Sequence, residues 1–140
     1  MTQRQLIERA VSQVKTAFPF PGYVDDTEEA IRETALTLTN LCPDKGRLLD
    51  IGCGGMDKLA TFRQLGFECY GCDDFMDPWH RRDNNLERLL DFARAMNLHV
   101  HVQQGSYSIP WEEGSFDVVT LLDVIEHLHE SPRAILNLAG

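Results

Sequence analysis

An α/β fold built on a doubly wound parallel sheet is what this 140-residue sequence predicts, and three observations carry the prediction. Short apolar runs of strand length alternate with amphipathic stretches of helical period. The first of these runs, "RLLDIG" at 47–52, is apolar without alternation, as suits a strand buried on both faces. Glycines then cluster at once, where such a sheet passes from strand into helix. Right-handed crossovers place helices on both faces of the sheet, and further helices precede it.

The elements follow in chain order. Thr2 and Gln5 have capping-box spacing, and Leu6, Ile7, Ala10, Val11 and Val14 recur on one helical face. "FPFPGY" breaks that helix with two prolines and a glycine. Asp26 and Glu29 form a second capping box, opening a helix through Ile31, Ala35, Leu38 and Leu41 that "CPDKG" ends. "MDKLATFRQLG" reads as a helix closed by Gly66. "ECYGCD" is a second strand, and "NNLERLLDFARAMN" is a helix with Asn84 and Glu87 at capping-box spacing. "HVHVQ" is a third strand, "EEGS" a turn and "FDVVTLLDV" a fourth strand. "SPRAILNLA" opens a helix with Ser131 as cap and Pro132 in its first position.

Composition narrows the function. Apolar residues make up 43% and charged residues 25%, ordinary for a globular domain. No apolar run is long enough to span a membrane, and the polar, amphipathic N-terminus is not a secretory signal. The net charge of −9 argues against a nucleic-acid partner, whose phosphates need lysine and arginine. "WHRR" at 79–82 is the one dense basic spot and reads as solvated. Cys42, Cys53, Cys69 and Cys72, without an export signal, suggest reduced thiols in a cytoplasm. Cys69 and Cys72 form a C-x-x-C, but on a strand they point to opposite faces. They read as buried structural thiols, not as a metal or redox pair.

Ligands of such sheets sit beyond the carboxyl ends of the strands, where the strand order reverses. The first strand ends at Asp50, and Gly52, Gly54 and Gly55 follow. Glycines there let the backbone turn sharply and let a ligand lie against the main chain. A nicotinamide fingerprint beginning at Gly52 would need glycine at position 57, where Asp57 stands and would oppose a pyrophosphate. No G-K-[ST] follows for a Walker A loop. The second strand ends at Asp73, placed to accept from both hydroxyls of a ribose, with Asp74 adjacent.

"LLDIGCGG", "YGCD" and "GSFDVVTLLDVIEHL" together resemble the class I S-adenosylmethionine-dependent methyltransferases, most closely those labelled methyltransferase type 11 or 12, over about residues 46 to 140. The resemblance implies a Rossmann-like domain over 46–140; the helices before it, over 1–45 with Tyr23 in their joint, are expected to form a cap or lid. It implies S-adenosylmethionine as cofactor, S-adenosylhomocysteine as product, and a small molecule, glycan or lipid intermediate as acceptor. Asp50 would lie near the cofactor's amino group, the backbone at Gly52 and Gly54 would carry the cofactor, and Asp73 would hold the ribose. Cys53, Asp74, Phe75, Ser106, Tyr107 and Leu122 complete the cofactor set the resemblance implies, with Phe75 equally readable as a core aromatic. Two positions depart from the family pattern. The third glycine of D-x-G-x-G-x-G falls on Met56, and the acid after the third strand is replaced by Ser106.

If the chain turns helical after the fourth strand, Asp123, Glu126 and His127 share one face. His127 is the candidate general base. The same trio resembles the E-x-x-E-H with which small-RNA 2′-O-methyltransferases and some quinone O-methyltransferases bind a divalent ion. The acidic chain and the lack of a second downstream histidine motif speak against it, and no metal is expected. The family's sheet has seven strands, so its C-terminal strands are missing here and the chain reads as truncated. The fourth strand then becomes a bare edge, expected to be covered by a second copy. The readings from other classes are a catalytically silent cofactor-binding or interaction domain and, disfavoured by Asp57, an NAD-dependent oxidoreductase.

Overall fold

The computed structural model describes residues 1–104, 110–112 and 114–122. The elements are α1 (Gln3–Ala17), α2 (Tyr23–Leu41), β1 (Arg47–Ile51), α3 (Asp57–Gln64), β2 (Glu68–Asp73), α4 (Pro78–Arg81), α5 (Asn85–Ala95), β3 (His99–Val102) and β4 (Val118–Thr120). The sheet has the order β3-β2-β1-β4, and every pairing in it is parallel. Leu49 of β1 faces Tyr70 of β2 on one side and Val119 of β4 on the other, which makes β1 and β2 interior strands.

Side chains alternate across the sheet, as the period of a strand requires. Leu48 and Cys69 enter a large cluster with Ile7, Val11, Ile31, Leu59, Phe62 and Leu89, so α1, α2, α3 and α5 share one core. Leu49, Ile51, Tyr70 and Cys72 face the other way, where Trp111 and Phe116 pack on them. The helix expected over 131–139 for that second face lies outside the described residues. So do Gly105, Ser106 and Tyr107, the acid–histidine trio Asp123, Glu126 and His127, and the cap pair Ser131 and Pro132.

Helix α1 has the expected capping box. Gln5 N donates to Thr2 Oγ1 at 3.1 Å, and Thr2 N donates to Gln5 Oε1 at 2.8 Å. Three other expectations need correction. Helix α2 starts three residues before Asp26, with Gly22 as its cap in the left-handed region and no side-chain cap. Tyr23 is packed between Phe18 and Trp79, at ring separations of 5.0 and 5.3 Å, and this contact extends the helix beyond its local signal. Asn84 does cap α5, but its side chain makes no cap bond, because its backbone (φ −110°, ψ 28°) is not the extended form that aims a cap oxygen at the first turn. Leu6 and Leu41, placed on the apolar faces by periodicity, are exposed.

The C-x-x-C pair behaves as strand geometry demands. Cys69 lies in one core cluster and Cys72 in the other, and all four cysteines are free. Burial pushes the thiols of Cys69 and Cys72 up to about 12. It pushes Cys53 well above the ordinary thiol value, with the carboxylates of Asp50 and Asp73 adding to the effect. Only a thiolate alkylates quickly. We expect iodoacetamide at about pH 8 to label half-buried Cys42 alone in the native chain and all four cysteines in denaturant, as read by intact mass. Rapid native labelling of Cys69 or Cys72 would contradict this packing.

Candidate functional site

In this order the chain steps outward from β1 to β2 and β3, then crosses back past β1 to β4 on its other side, so the strand order reverses between β1 and β4. The crevice of a doubly wound sheet opens at the carboxyl ends of strands that part in this way. A cavity of about 350 Å³ lies there, large enough for a nucleoside-sized ligand.

Asp50 stands at its floor, 3% exposed. The Thr120 hydroxyl, on neighbouring β4, donates to Asp50 Oδ1 at 2.6 Å and fixes the carboxylate across the crevice. Past Asp50 the chain turns back on β2, where Gly52 N and Cys53 N both donate to the Cys72 carbonyl, at 2.8 and 3.2 Å. Gly52 and Gly54 adopt φ of 76° and 53°, the left-handed region that glycine enters without cost. Met56 also adopts it, at φ 66°, with its side chain fully buried. The departure from the family's third glycine therefore keeps the backbone shape a glycine would take. It costs about 1 kcal/mol of strain, which the core contacts of the methionine offset.

Asp73 ends β2 and ties the turn to it. Gly54 N donates to Asp73 Oδ2 at 2.8 Å, and Phe75 N donates to Asp73 Oδ1 at 2.7 Å. Each oxygen has a second lone pair, so the carboxylate retains acceptor capacity towards the cavity it lines. Asp74, Cys53 and Leu122 line the cavity as well. Phe75 does not. Its ring is fully buried in the core, edge-on to His80, which is the second of the two roles the sequence left open to it.

Of the remaining wall residues, the sequence singled out Tyr23 for a cap and Asp57 against a pyrophosphate, but missed Thr27 and Lys58. From α2 come Tyr23 and Thr27, and from the start of α3 come Asp57 and Lys58. Thr27 Oγ1 donates to Asp57 Oδ2 at 2.6 Å. The Tyr23 hydroxyl lies so close over Gly55 that a Cβ there would meet it at 2.7 Å. These contacts bridge segments about thirty positions apart, and no local pattern announces them. The stretch at 77–82 did carry a signal. Asp77 caps α4 by accepting from Trp79 N at 2.9 Å, and Pro78 occupies its first turn, the usual N-terminal signature of a helix.

Within "WHRR" the two arginines are exposed, as the sequence suggests, whereas Trp79 and His80 are packed against the fold. Trp79 packs on Phe20 and Tyr23, and Arg81 Nε donates to the Phe75 carbonyl at 3.0 Å. His80 is buried in the cavity wall against Phe75 and Trp79, and its Nδ1 has no hydrogen-bond partner among the described residues. Burial lowers its pKa below the ordinary 6.5, against the pull of Asp73, Asp77 and Asp74. The folded chain thus holds His80 neutral while the unfolded chain takes up the proton below 6.5. Stability is lost as the pH falls from there through the folded value. We expect the urea midpoint to drop more between about pH 7.5 and about pH 5.5 in the native sequence than in His80→Gln. Equal drops would show that His80 does not titrate as its burial requires.

The electrostatic character of the cavity follows from Asp50, Asp57, Asp73, Asp74 and Asp77 on its walls, with Lys58 as the lysine among them. Such a site repels phosphate and attracts a cation.

Comparison with known proteins agrees with this arrangement. A family model described as a methyltransferase domain matches residues 23–139. The chain is 29% identical over 96 residues to a ubiquinone biosynthesis O-methyltransferase of Rickettsia felis, covering 69% of this chain and 36% of that protein. It is 30% identical over 94 residues to the enzyme of the same name from Rickettsia typhi, covering 67% and 35%. It is 26% identical over 111 residues to a norajmaline N-methyltransferase of Rauvolfia serpentina, covering 74% and 36%. The chain spans about a third of the length of these relatives. No solved structure matches it significantly.

Proposed function

The chain belongs to the class I methyltransferase domain family, and from that premise we propose that its cavity binds S-adenosylmethionine and serves methyl transfer to a small-molecule, glycan or lipid-intermediate acceptor. The observation that carries this reading is the acid-lined cavity at the parting of β1 and β4, with its glycine turn laced to Asp73. When bound, S-adenosylmethionine supplies a methyl group already activated by a sulfonium. It carries a sulfonium, an ammonium and one carboxylate, so it is a net cation with a ribose diol and no phosphate, which suits walls rich in aspartate.

In this reading Asp73 accepts from the ribose hydroxyls, Asp50 faces the amino-acid end, and the backbone of Gly52 and Gly54 lies along the ligand. The protein's work is alignment and the exclusion of water, so few side chains need to react. We assign the acceptor's proton to His127, and no metal to the trio it forms with Asp123 and Glu126. We infer a role in adenine recognition for Ser106 and Tyr107, as the resemblance implies. Relatives named for O- and N-methylation support an oxygen or nitrogen acceptor. Tyr23 and Thr27 on the cavity wall support the reading of residues 1–45 as a cap. Proteolysis of α1 and α2 that is unaffected by ligand would count against that cap.

No helix among the described residues is long and apolar enough to cross a membrane, and the free thiols support a reducing, cytoplasmic setting. Among the described residues β4 ends the sheet, and this reading keeps the pairing of that strand with a second copy. A strictly monomeric chain in sedimentation velocity would overturn that pairing.

The deciding experiment is a calorimetric titration with S-adenosylhomocysteine, with NADH as comparison. Binding of the first alone supports the reading. Binding of NADH alone returns the oxidoreductase, and binding without turnover on any acceptor leaves a silent cofactor-binding domain.

A further inference from the structure

We propose that Asp57 sets the ligand selectivity of this cavity: it receives the ligand's ammonium group and turns phosphorylated ligands away. The inference rests on the cofactor reading above and adds to it a residue that the glycine motif does not contain.

Asp57 is the first residue of α3. At that position of a strand–turn–helix unit the free backbone N–H groups and the helix dipole favour negative charge, and a bound pyrophosphate ordinarily takes advantage of both. Here the protein's own carboxylate stands in that place. It is 7% exposed and lines the cavity. It is also held, because Thr27 Oγ1 of α2 donates to its Oδ2 at 2.6 Å. The left-handed backbone at Met56, immediately before it, sets the direction in which α3 leaves the turn.

A fixed, nearly buried carboxylate differs from a solvated acid on a loop. It pays little ordering cost when a cation arrives, and the low local dielectric strengthens its attraction for an ammonium and its repulsion of a phosphate. The ribose end of the ligand is accounted for by Asp73, whose oxygens are tied to the glycine turn. The amino-acid end is left to Asp50 and Asp57. Asp50 already accepts from Thr120 at 2.6 Å, so a second carboxylate is chemically useful there, because an ammonium has three donors to place.

The test is calorimetric titration of the native chain and Asp57→Asn with three probes. These are S-adenosylhomocysteine, 5′-methylthioadenosine (the same nucleoside without the amino-acid group) and ADP. The substitution keeps the shape and an acceptor for Thr27 but removes the charge, and circular dichroism checks that the variant folds. The native chain should prefer S-adenosylhomocysteine to methylthioadenosine, and Asp57→Asn should shrink that preference by about tenfold, the loss expected for one charge-assisted hydrogen bond. ADP should bind the variant more tightly than the native chain. An unchanged preference between the two nucleosides overturns the ammonium contact, and an unchanged ADP affinity overturns the exclusion of phosphate. If the folded native chain takes up neither nucleoside, the cofactor reading itself falls, and the inference falls with it.

Discussion

Replacing Asp73 with alanine is expected to lower S-adenosylhomocysteine affinity at least about a hundredfold, the largest functional effect of any single substitution in the cavity. Two losses combine. The ligand loses the carboxylate proposed to receive its ribose hydroxyls, and charge-assisted bonds of this kind contribute about 1.5–3 kcal/mol. The turn also loses its tie to β2, since Gly54 N and Phe75 N both donate to this carboxylate. Asp73→Asn separates the two effects. It keeps an oxygen for one of the backbone donors, so it should fold nearly as well while still binding weakly. Thermal melting and calorimetry on the same samples make the distinction. An alanine variant that binds within about threefold of the native chain would remove Asp73 from the ligand site.

Gly71→Ala is expected to produce the largest loss of stability, about 2–3 kcal/mol, and to weaken ligand binding as well. Gly71 sits within β2, paired with Asp50 of β1. A Cβ there would meet Leu59 Cδ2 at 2.8 Å and the Cβ and Sγ of Cys53 at 3.0 Å. The leucine terminus can swing away. Cys53 cannot move so easily, because its backbone is bonded to Cys72 within the glycine turn. The strain therefore passes from an interior strand into the site. Urea unfolding gives the first quantity and calorimetry the second. A stable variant with weakened binding would place all the strain in the turn, and a variant unchanged in both would show that the strand has room this packing denies it.

Strand glycine has low intrinsic favour, and here it is required by a neighbour eighteen positions away. The same division runs through the whole molecule. Elements specified by their own local pattern were legible. "ECYGCD" is β2 residue for residue, the capping box of Thr2 and Gln5 is formed, and Gly66 follows the last turn of α3. Asp50, Gly52, Gly54 and Asp73 could be placed at strand ends because a parallel sheet collects its ligand there whatever else the chain does. Hidden from the sequence were the features made by contacts between distant segments. Tyr23 over Gly55, Thr27 on Asp57, Thr120 on Asp50 and the burial of His80 behind Trp79 each depend on how helices and strands pack.

By itself, then, the sequence determined the alternation of strand and helix, the parallel sheet and the acids at its carboxyl edge, because periodicity and turn chemistry act over a few residues. The tertiary structure alone decided which of those acids are held, by what donor, and which become the wall of one cavity. A carboxylate is fixed only by a partner in space, and residues separated by tens of positions meet only when the core closes.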